Sequence, residues 1–413
     1  MEILFADDGS DFSTSIGATA TQPLITKRTI AIFFLFVLVT TFFSLFLIAV
    51  GSVGLIVSKV RESTVESLRD SRDTNTRSAL NSFLFSEILN VDSTEQRALF
   101  LERLIPKLID LKIALDLDDN SPRNVRRRSL KRVMLQLTSE VIGETRVRLT
   151  TAFAYFGFVE ETIALMKNNR WWIRAKSCKN AGLMLNEAAL PHLEQCLDDE
   201  NDDVRIEAAQ AMIDIAGVEI VAPILMRLKE MSLWMRVRLS KSILVFGEHA
   251  VPPLITALRS EYPVIQGFCV ENLGILGDVK AVPTLLEYIN YAVIDVKHKS
   301  LIALGKLGDD RSIPIIKKFL SAEDELLRVD AAKAAGNLST PFLAYSLHWM
   351  LMKDTISVKL AAAEALSRTG ERGIQSLKYA AGIGDEQVRM VAIQFLHEAG
   401  VPAFELREDG GAV

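Results

Sequence analysis

Three cysteines, five histidines and a few adjacent carboxylates are the residues of this 413-residue chain that could serve as nucleophiles, general acids or metal ligands. A zinc site needs thiolates or imidazoles at short fixed spacings, and a disulfide framework needs many cysteines. Cys178, Cys196 and Cys269 stand singly with no CxxC, and no HExxH, glycine-rich phosphate loop or GxSxG motif occurs. His192, His249, His298, His348 and His397 form no regular row, and the paired acids Glu160-Glu161 and Asp309-Asp310 read as turn and cap residues. The expectation is a protein that is not an enzyme and needs no cofactor or metal.

Two other groups have the chemistry of recognition. In SPRNVRRRSLKRVM the cations Arg123, Arg126, Arg127, Arg128, Lys131 and Arg132 crowd into ten residues. Val125, Leu130, Val133 and Met134 supply the apolar side of that helix, so the cations wrap its exposed side. Such a cluster suits anionic lipid headgroups, where each charge contributes about 1 kcal/mol, or an acidic partner. A solvated face offset by Asp116, Asp118 and Asp119 is the plainer alternative. The second group is Trp171, Trp172, Trp234 and Tyr262, large aromatics that together would make a partner-binding ridge, or else merely cover a neighbouring turn. Whole-chain charge is −5, from 47 basic and 52 acidic residues, and gives no reason to expect nucleic acid.

The elements that position these residues repeat. An aliphatic residue followed by a basic one recurs at Val147-Arg148, Ile173-Arg174, Val204-Arg205, Val237-Arg238, Val296-Lys297, Leu327-Arg328, Val358-Lys359 and Val388-Arg389, and Ile265-Gln266 fills the one gap. Successive spacings of 26, 31, 33, 28, 31, 31, 31 and 30 residues define about nine units. Glycine or a small residue follows about eight and eleven positions later, as in Gly274 and Gly277 or Gly305 and Gly308, and Pro191, Pro223, Pro283 and Pro314 come near seventeen. Apolar residues at helical spacing in RVDAAKAAGNL give one helix, glycine ends it, and proline starts the next. Two such short helices cannot bury their faces alone, so neighbouring units must stack. The basic position is expected to pair with acids of the preceding turn, such as Asp202, Asp203 or Asp324. Trp234 and Tyr262 lie four residues before it, and Trp171-Trp172 three and two.

Units such as VKHKSLIALGKLGDDRSIPIIKKFL resemble HEAT repeats of the short bacterial kind, known from the phycobilisome lyase family, over residues 143–400. The resemblance implies an all-α fold, an α-solenoid of stacked helical hairpins with a concave protein-binding surface. By the same resemblance, action on a tetrapyrrole-bearing protein is an alternative function.

Ahead of the solenoid, residues 29–58 contain no charge and are read as one transmembrane helix, since about 20 apolar residues cross a bilayer. A cleaved signal peptide fits worse, because 28 residues carrying Glu2, Asp7, Asp8 and Asp11 precede the apolar run. Residues 1–28 are expected to be a disordered tail, 59–142 a helical stalk and cap, and 401–413 a frayed tail. In the stalk, Asp92-Ser93-Thr94-Glu95 and Ser121-Pro122 read as helix starts. Lys59, Arg61, Arg69 and Arg72 outnumber Lys27 and Arg28, which favours the solenoid on the cytoplasmic side of the membrane. An extracytoplasmic solenoid belonging to a membrane sensory complex is the competing arrangement. The sequence reads as a membrane-anchored scaffold or adaptor for a partner protein.

Overall fold

The computed structural model describes residues 27–85, 94–117 and 124–401, and every regular element among them is a helix. The chain forms two compact units, residues 1–75 and 76–413. The first unit contains most of α1 (Lys27–Leu84). Its large apolar side chains, among them Leu35, Phe36, Phe42, Phe43, Ile48 and Leu55, are exposed. Two stretches are long and apolar enough to cross a membrane, Leu38–Leu84 with mean hydropathy 2.2 and Asp202–Arg227 with 1.6. They differ in burial. The apolar window of the first is wholly unburied, whereas the second lies in the core of the array and sends Val204, Ala208, Ile213 and Ile224 into it.

The second unit begins with the end of α1 and continues through α2 (Thr94–Ala114), α3 (Val125–Leu137), α4 (Gly143–Tyr155) and α5 (Phe158–Leu165). Leu80 and Leu84 of α1, Leu104, Leu108 and Leu111 of α2, Leu130 and Met134 of α3, and Phe153 and Phe158 share one buried cluster. The apolar spacing of three and four residues along each helix places these side chains on one stripe. Asn124 caps α3, accepting from the backbone N–H groups of Arg126 and Arg127. The expected cap residues Asp92, Ser93, Ser121 and Pro122, and both expected tails apart from residues 27, 28 and 401, lie outside the described residues.

From there, a first layer of helices of 12 to 15 residues alternates with a second layer of mostly seven-residue helices, the last two of which reach 10 and 13 residues. The longer ones are α6 (Trp171–Met184), α8 (Asp202–Ala216), α10 (Leu233–Leu244), α12 (Pro263–Leu276), α14 (Ile294–Leu307), α16 (Glu325–Leu338), α18 (Ile356–Arg368) and α20 (Glu386–Glu398). Between them run α7 (Leu190–Cys196), α9 (Val221–Arg227), α11 (Val251–Ala257), α13 (Val282–Tyr288), α15 (Ile313–Phe319), α17 (Ala344–Lys353) and α19 (Glu371–Ile383). Pro191, Pro252, Pro283 and Pro314 occupy the first turns of α7, α11, α13 and α15, where a missing N–H costs nothing. One continuous core runs the length of the array, from Met166 to Leu396.

The two glycine positions of the repeat have separate jobs. The earlier one lets neighbouring long helices touch. A methyl group placed on Gly182, Gly274, Gly305 or Gly336 would come within 2.7 to 2.9 Å of a backbone or Cβ atom of Ala211, Ala303, Ala334 or Ala365 respectively. The later one ends the helix in the left-handed conformation, as Gly308 does at φ 65°. Leu185 and Ser339 hold that same position at φ 50° and 52°, which a Cβ makes unfavourable.

The pattern is interrupted at α10. Where the contact glycine belongs, α8 carries the buried Ile213, and Phe246 stands just after α10. Accordingly α10 packs far less intimately on α8 and α12 than α12, α14, α16 and α18 pack on one another. Polar bonds fill in: Arg238 to Glu207 at 2.6 Å and Ser242 to Gln210 at 2.5 Å on one side, Arg236 to Glu271 at 2.5 Å and Ser240 to Asn272 on the other.

Gly305→Ala forces α14 and α16 apart and is expected to cost about 1–3 kcal/mol, the range for overpacking a tight contact. Ser339→Gly relieves a left-handed Cβ at the loss of one hydroxyl bond and is expected to gain about 0.5–1 kcal/mol. Urea unfolding followed by circular dichroism measures both, and the prediction fails if the two variants shift stability in the same direction.

Candidate functional site

The repeated basic residue is the most regular polar feature of the array. Arg174 donates through Nε and Nη2 to the Asp199 carboxylate at 2.7 Å each, and through Nη1 to the carbonyl oxygen of Asn168 at 3.0 Å. Arg328 does the same with Asp354 at 2.9 and 2.8 Å and with Ala322 O at 2.9 Å. Arg205 reaches Glu230 and Asp202 at 2.9 and 3.2 Å and the Asp199 carbonyl at 2.9 Å, and Lys359 lies 3.6 Å from Asp385. Gln266, the one neutral member, keeps only the carbonyl half, donating to Ser260 O at 2.7 Å. Arg174, Arg205 and Arg328 thus secure the loop before their own helix and grip an acid in the loop of the next unit, whereas Arg238 reaches back to Glu207 of the preceding long helix. The expected pairing within the preceding turn holds for Arg205 with Asp202, but Arg174 and Arg328 take their carboxylates from the following unit. A planar five-donor fork can satisfy both neighbours at once.

Burial raises the Asp354 and Asp199 carboxyls, and hydrogen bonds from Arg328 and Arg174, helped by the backbone N–H groups of Thr355 and Asn201, more than offset it, so both sit below the usual carboxylate range. These residues hold the array together and face no cleft.

The basic cluster divides. Arg127 is buried: its Nη1 donates to the Phe156 carbonyl at 2.6 Å, Nη2 lies 3.5 Å from Glu161, and the guanidinium sits 4.4 Å from the Phe158 ring centroid. Lys131 bonds Glu161 at 3.2 Å, and burial lowers its pKa despite that partner. Both therefore fasten α3 to α5. Arg126 pairs with Asp116, Arg126 and Arg128 are exposed, and Arg132 is half-buried. Arg123 lies outside the described residues. A helical stripe cannot place six cations within ten residues all outward, and the sequence carried no sign of which two turn in.

Aromatics divide in the same way. Trp171, Trp172 and Trp234 are 41, 52 and 59% exposed at the first turns of α6 and α10. The two adjacent rings stack edge-on at 6.0 Å, with the Arg170 guanidinium 5.6 Å above Trp172. Tyr262 is half-buried against the array core and adds little exposed surface. No ring contact among the described residues joins Trp234 to the Trp171–Trp172 pair.

Sequence spacing missed one pairing of thiols. The hairpin of α6 and α7 sets the buried Cys178 and Cys196 beside one another although they are eighteen residues apart, and that neighbour, then burial, pushes the Cys178 thiol up. Burial does so for Cys269. Raised, buried thiols are poor nucleophiles. His298 Nδ1 bonds Asp330 at 2.8 Å across the α14–α16 contact, and among the described residues no three His, Cys, Asp or Glu side chains converge as a metal site would require. On the long-helix layer a trough of about 290 Å³ runs between α12 and α14, lined by Ile275, Ile302, Ala303 and the charged Glu271, Lys299 and Lys306.

Helical hairpins stacked in sequence and a shared core, with forked cations linking several units to the next, define an α-solenoid. More particularly, the chain carries HEAT repeats: family models described as HEAT repeat and HEAT repeats match residues 189–218 and 251–336. No curated protein matches the sequence. Among solved structures, an engineered protein is similar at 15% identity over 74% of this chain and 91% of its own, with TM-score 0.37. The YibA protein of Escherichia coli is similar at 15% identity over 61% and 97%, with TM-score 0.35. The complex of CpcE and CpcF of phycocyanin lyase from Nostoc is similar at 18% identity over 68% and 91%, with TM-score 0.25. Nothing about activity follows from likenesses this distant.

Removing the guanidinium with Arg328→Ala strands Asp354 and two carbonyls and is expected to cost about 2–3 kcal/mol at pH 7. Because the folded Asp354 pKa is depressed, the pair stabilises above the unfolded carboxyl value near 4 and is lost as pH falls through the lower folded value. The stability gap between wild type and Arg328→Ala should therefore narrow in acid, and a gap that widens below pH 4 in urea titrations contradicts this account.

Proposed function

We propose that this protein is a non-enzymatic, membrane-anchored adaptor whose HEAT-repeat array holds a partner protein. The observation that carries the reading is the placement of tryptophan. All four in the chain, Trp171, Trp172, Trp234 and Trp349, are between 41 and 59% exposed, although this side chain is ordinarily among the most buried by area. Rigid exposed aromatics held on a stiff scaffold are how interaction hot spots are built. The uncharged segment 29–58, in which Leu35, Phe36, Phe42, Phe43, Ile48 and Leu55 are exposed, supports an anchor in the bilayer, and the balance of flanking cations supports a cytoplasmic array. Arg126, Arg128 and Arg132 remain the members of the basic cluster suited to anionic headgroups or to an acidic partner.

Affinity capture of the full-length protein from mild detergent, with the partner then purified, tests the central claim. Trp171→Ala, Trp172→Ala and Trp234→Ala combined should leave the melting temperature within about 2 °C and weaken partner binding at least tenfold. Recovery of no stoichiometric partner, or unchanged affinity of the triple variant, rejects the tryptophan edge as the binding surface.

The anchor is tested separately. The protein should float with membranes and resist alkaline carbonate extraction, and a reporter fused after Val413 should be active only if cytoplasmic. Release of the chain by carbonate excludes the span, and an inactive cytoplasmic reporter places the array on the other side.

A further inference from the structure

One surface on the short-helix layer is built differently from the rest of the array. Between α17 and α19 lies an open trough of about 670 Å³, lined by Phe342, Tyr345, His348, Arg372 and Tyr379 with small and neutral neighbours. Phe342 is 74% exposed, Tyr345 81% and Tyr379 58%, and Trp349, 59% exposed, continues the same helix face four residues past Tyr345. The His348 ring lies 5.6 Å from that of Tyr379 and closes the floor. No carboxylate lines the trough, and the exposed Arg372 makes no ion pair among the described residues. What the walls offer is aromatic faces, phenol donors and one cation.

A ligand for such walls must bring flat apolar groups, unsatisfied carbonyl acceptors and a negative charge. Extended polyproline chain has all the neutral parts: its rings stack on aromatics and its carbonyls make no internal hydrogen bonds. The dimensions agree. The seven residue steps from Phe342, in the turn before α17, to the flanking Trp349 rise about 10 Å, and one three-residue turn of polyproline helix rises about 9 Å. A helical ligand would satisfy its own carbonyls and leave the phenol donors unused.

We propose that the trough between α17 and α19 binds an extended, proline-rich segment of a partner protein that carries an acidic residue, with Tyr345 and Tyr379 holding the prolines and Arg372 the carboxylate. The proposal rests on the reading of the array as a protein-binding surface, and it names a second contact region apart from the tryptophan edge. It predicts a ligand of ordinary recognition-motif affinity whose sign preference is set by one residue.

The test uses full-length protein in detergent and fluorescence anisotropy of labelled nonapeptides: eight prolines around a central glutamate, the same with central lysine, and a glycine–serine peptide with central glutamate. Saturable binding of the first is expected, with the other two at least tenfold weaker. Tyr345→Ala combined with Tyr379→Ala should weaken the first peptide at least tenfold, and Arg372→Glu should reverse the preference between glutamate and lysine. That reversal requires an intact groove, so misfolding cannot imitate it. Lack of saturation at about 1 mM, indifference to the tyrosine pair, or failure of the charge reversal overturns the proposal, as does flotation on anionic phospholipid vesicles that depends on the same tyrosines. If a captured partner binds the double tyrosine variant at full strength while the peptides fail, the trough is rejected and the adaptor reading stands.

Discussion

Two helix backbones that meet with only one methyl group between them set the geometry of this array. At Gly274 against Ala303, Gly305 against Ala334 and Gly336 against Ala365, the long helices stand as close as helices can. That distance fixes the rest of each unit. Arg328 can reach Asp354 of the next loop while still bonding the carbonyl of Ala322 before its own helix, because the loops of adjacent units lie within one side-chain length. The short helices then occupy the second layer, started by proline and fitted to the remaining residues of a repeat near 31. Packing of small residues supplies proximity, and the forked cations neutralise the acids and carbonyls that proximity brings together.

Much of this was legible in the sequence because it is written locally. Glycine, proline and the aliphatic–basic pair occur at fixed intervals, and each has a conformational meaning at its own position. What was not legible depends on which way a side chain turns. Arg126 and Arg127 are neighbours of the same type, yet one is exposed and the other is buried under Phe156 and Phe158. Tyr262 and Trp234 occupy matching places in their units, yet the tyrosine leans on the core. Cys178 and Cys196, eighteen positions apart, are brought together by the α6–α7 hairpin, and Tyr345 and Tyr379, thirty-four apart, by the stacking of α17 on α19 across successive units.

The division of residues between core and surface has a simple logic. Leucine, alanine and valine fill the interior of the array, where their shapes repeat from unit to unit. Tryptophan and much of the tyrosine stand outside, at first turns and on short helices, where one unit can differ from the next without disturbing the stack. Surface chemistry is therefore separable from folding in this protein, and the repeats can vary at their edges while keeping one backbone spacing.

The interruption at α10 has a mechanical meaning. A stack whose coils touch through glycine and alanine is stiff, since any bend compresses atoms already in contact. Between α8 and α12 the buried Met235, Leu239 and Ile243 of α10 keep the core continuous, but the glycine–alanine contact is missing and Arg236, Arg238, Ser240 and Ser242 bond to the neighbouring long helices. Polar bonds of this kind tolerate small changes of angle and can be exchanged for water, so any bending of the array is expected to concentrate there. A bend there would change the separation of Trp171 and Trp172, which precede α10, from Tyr345 and Tyr379, which follow it, without altering the shape of either surface.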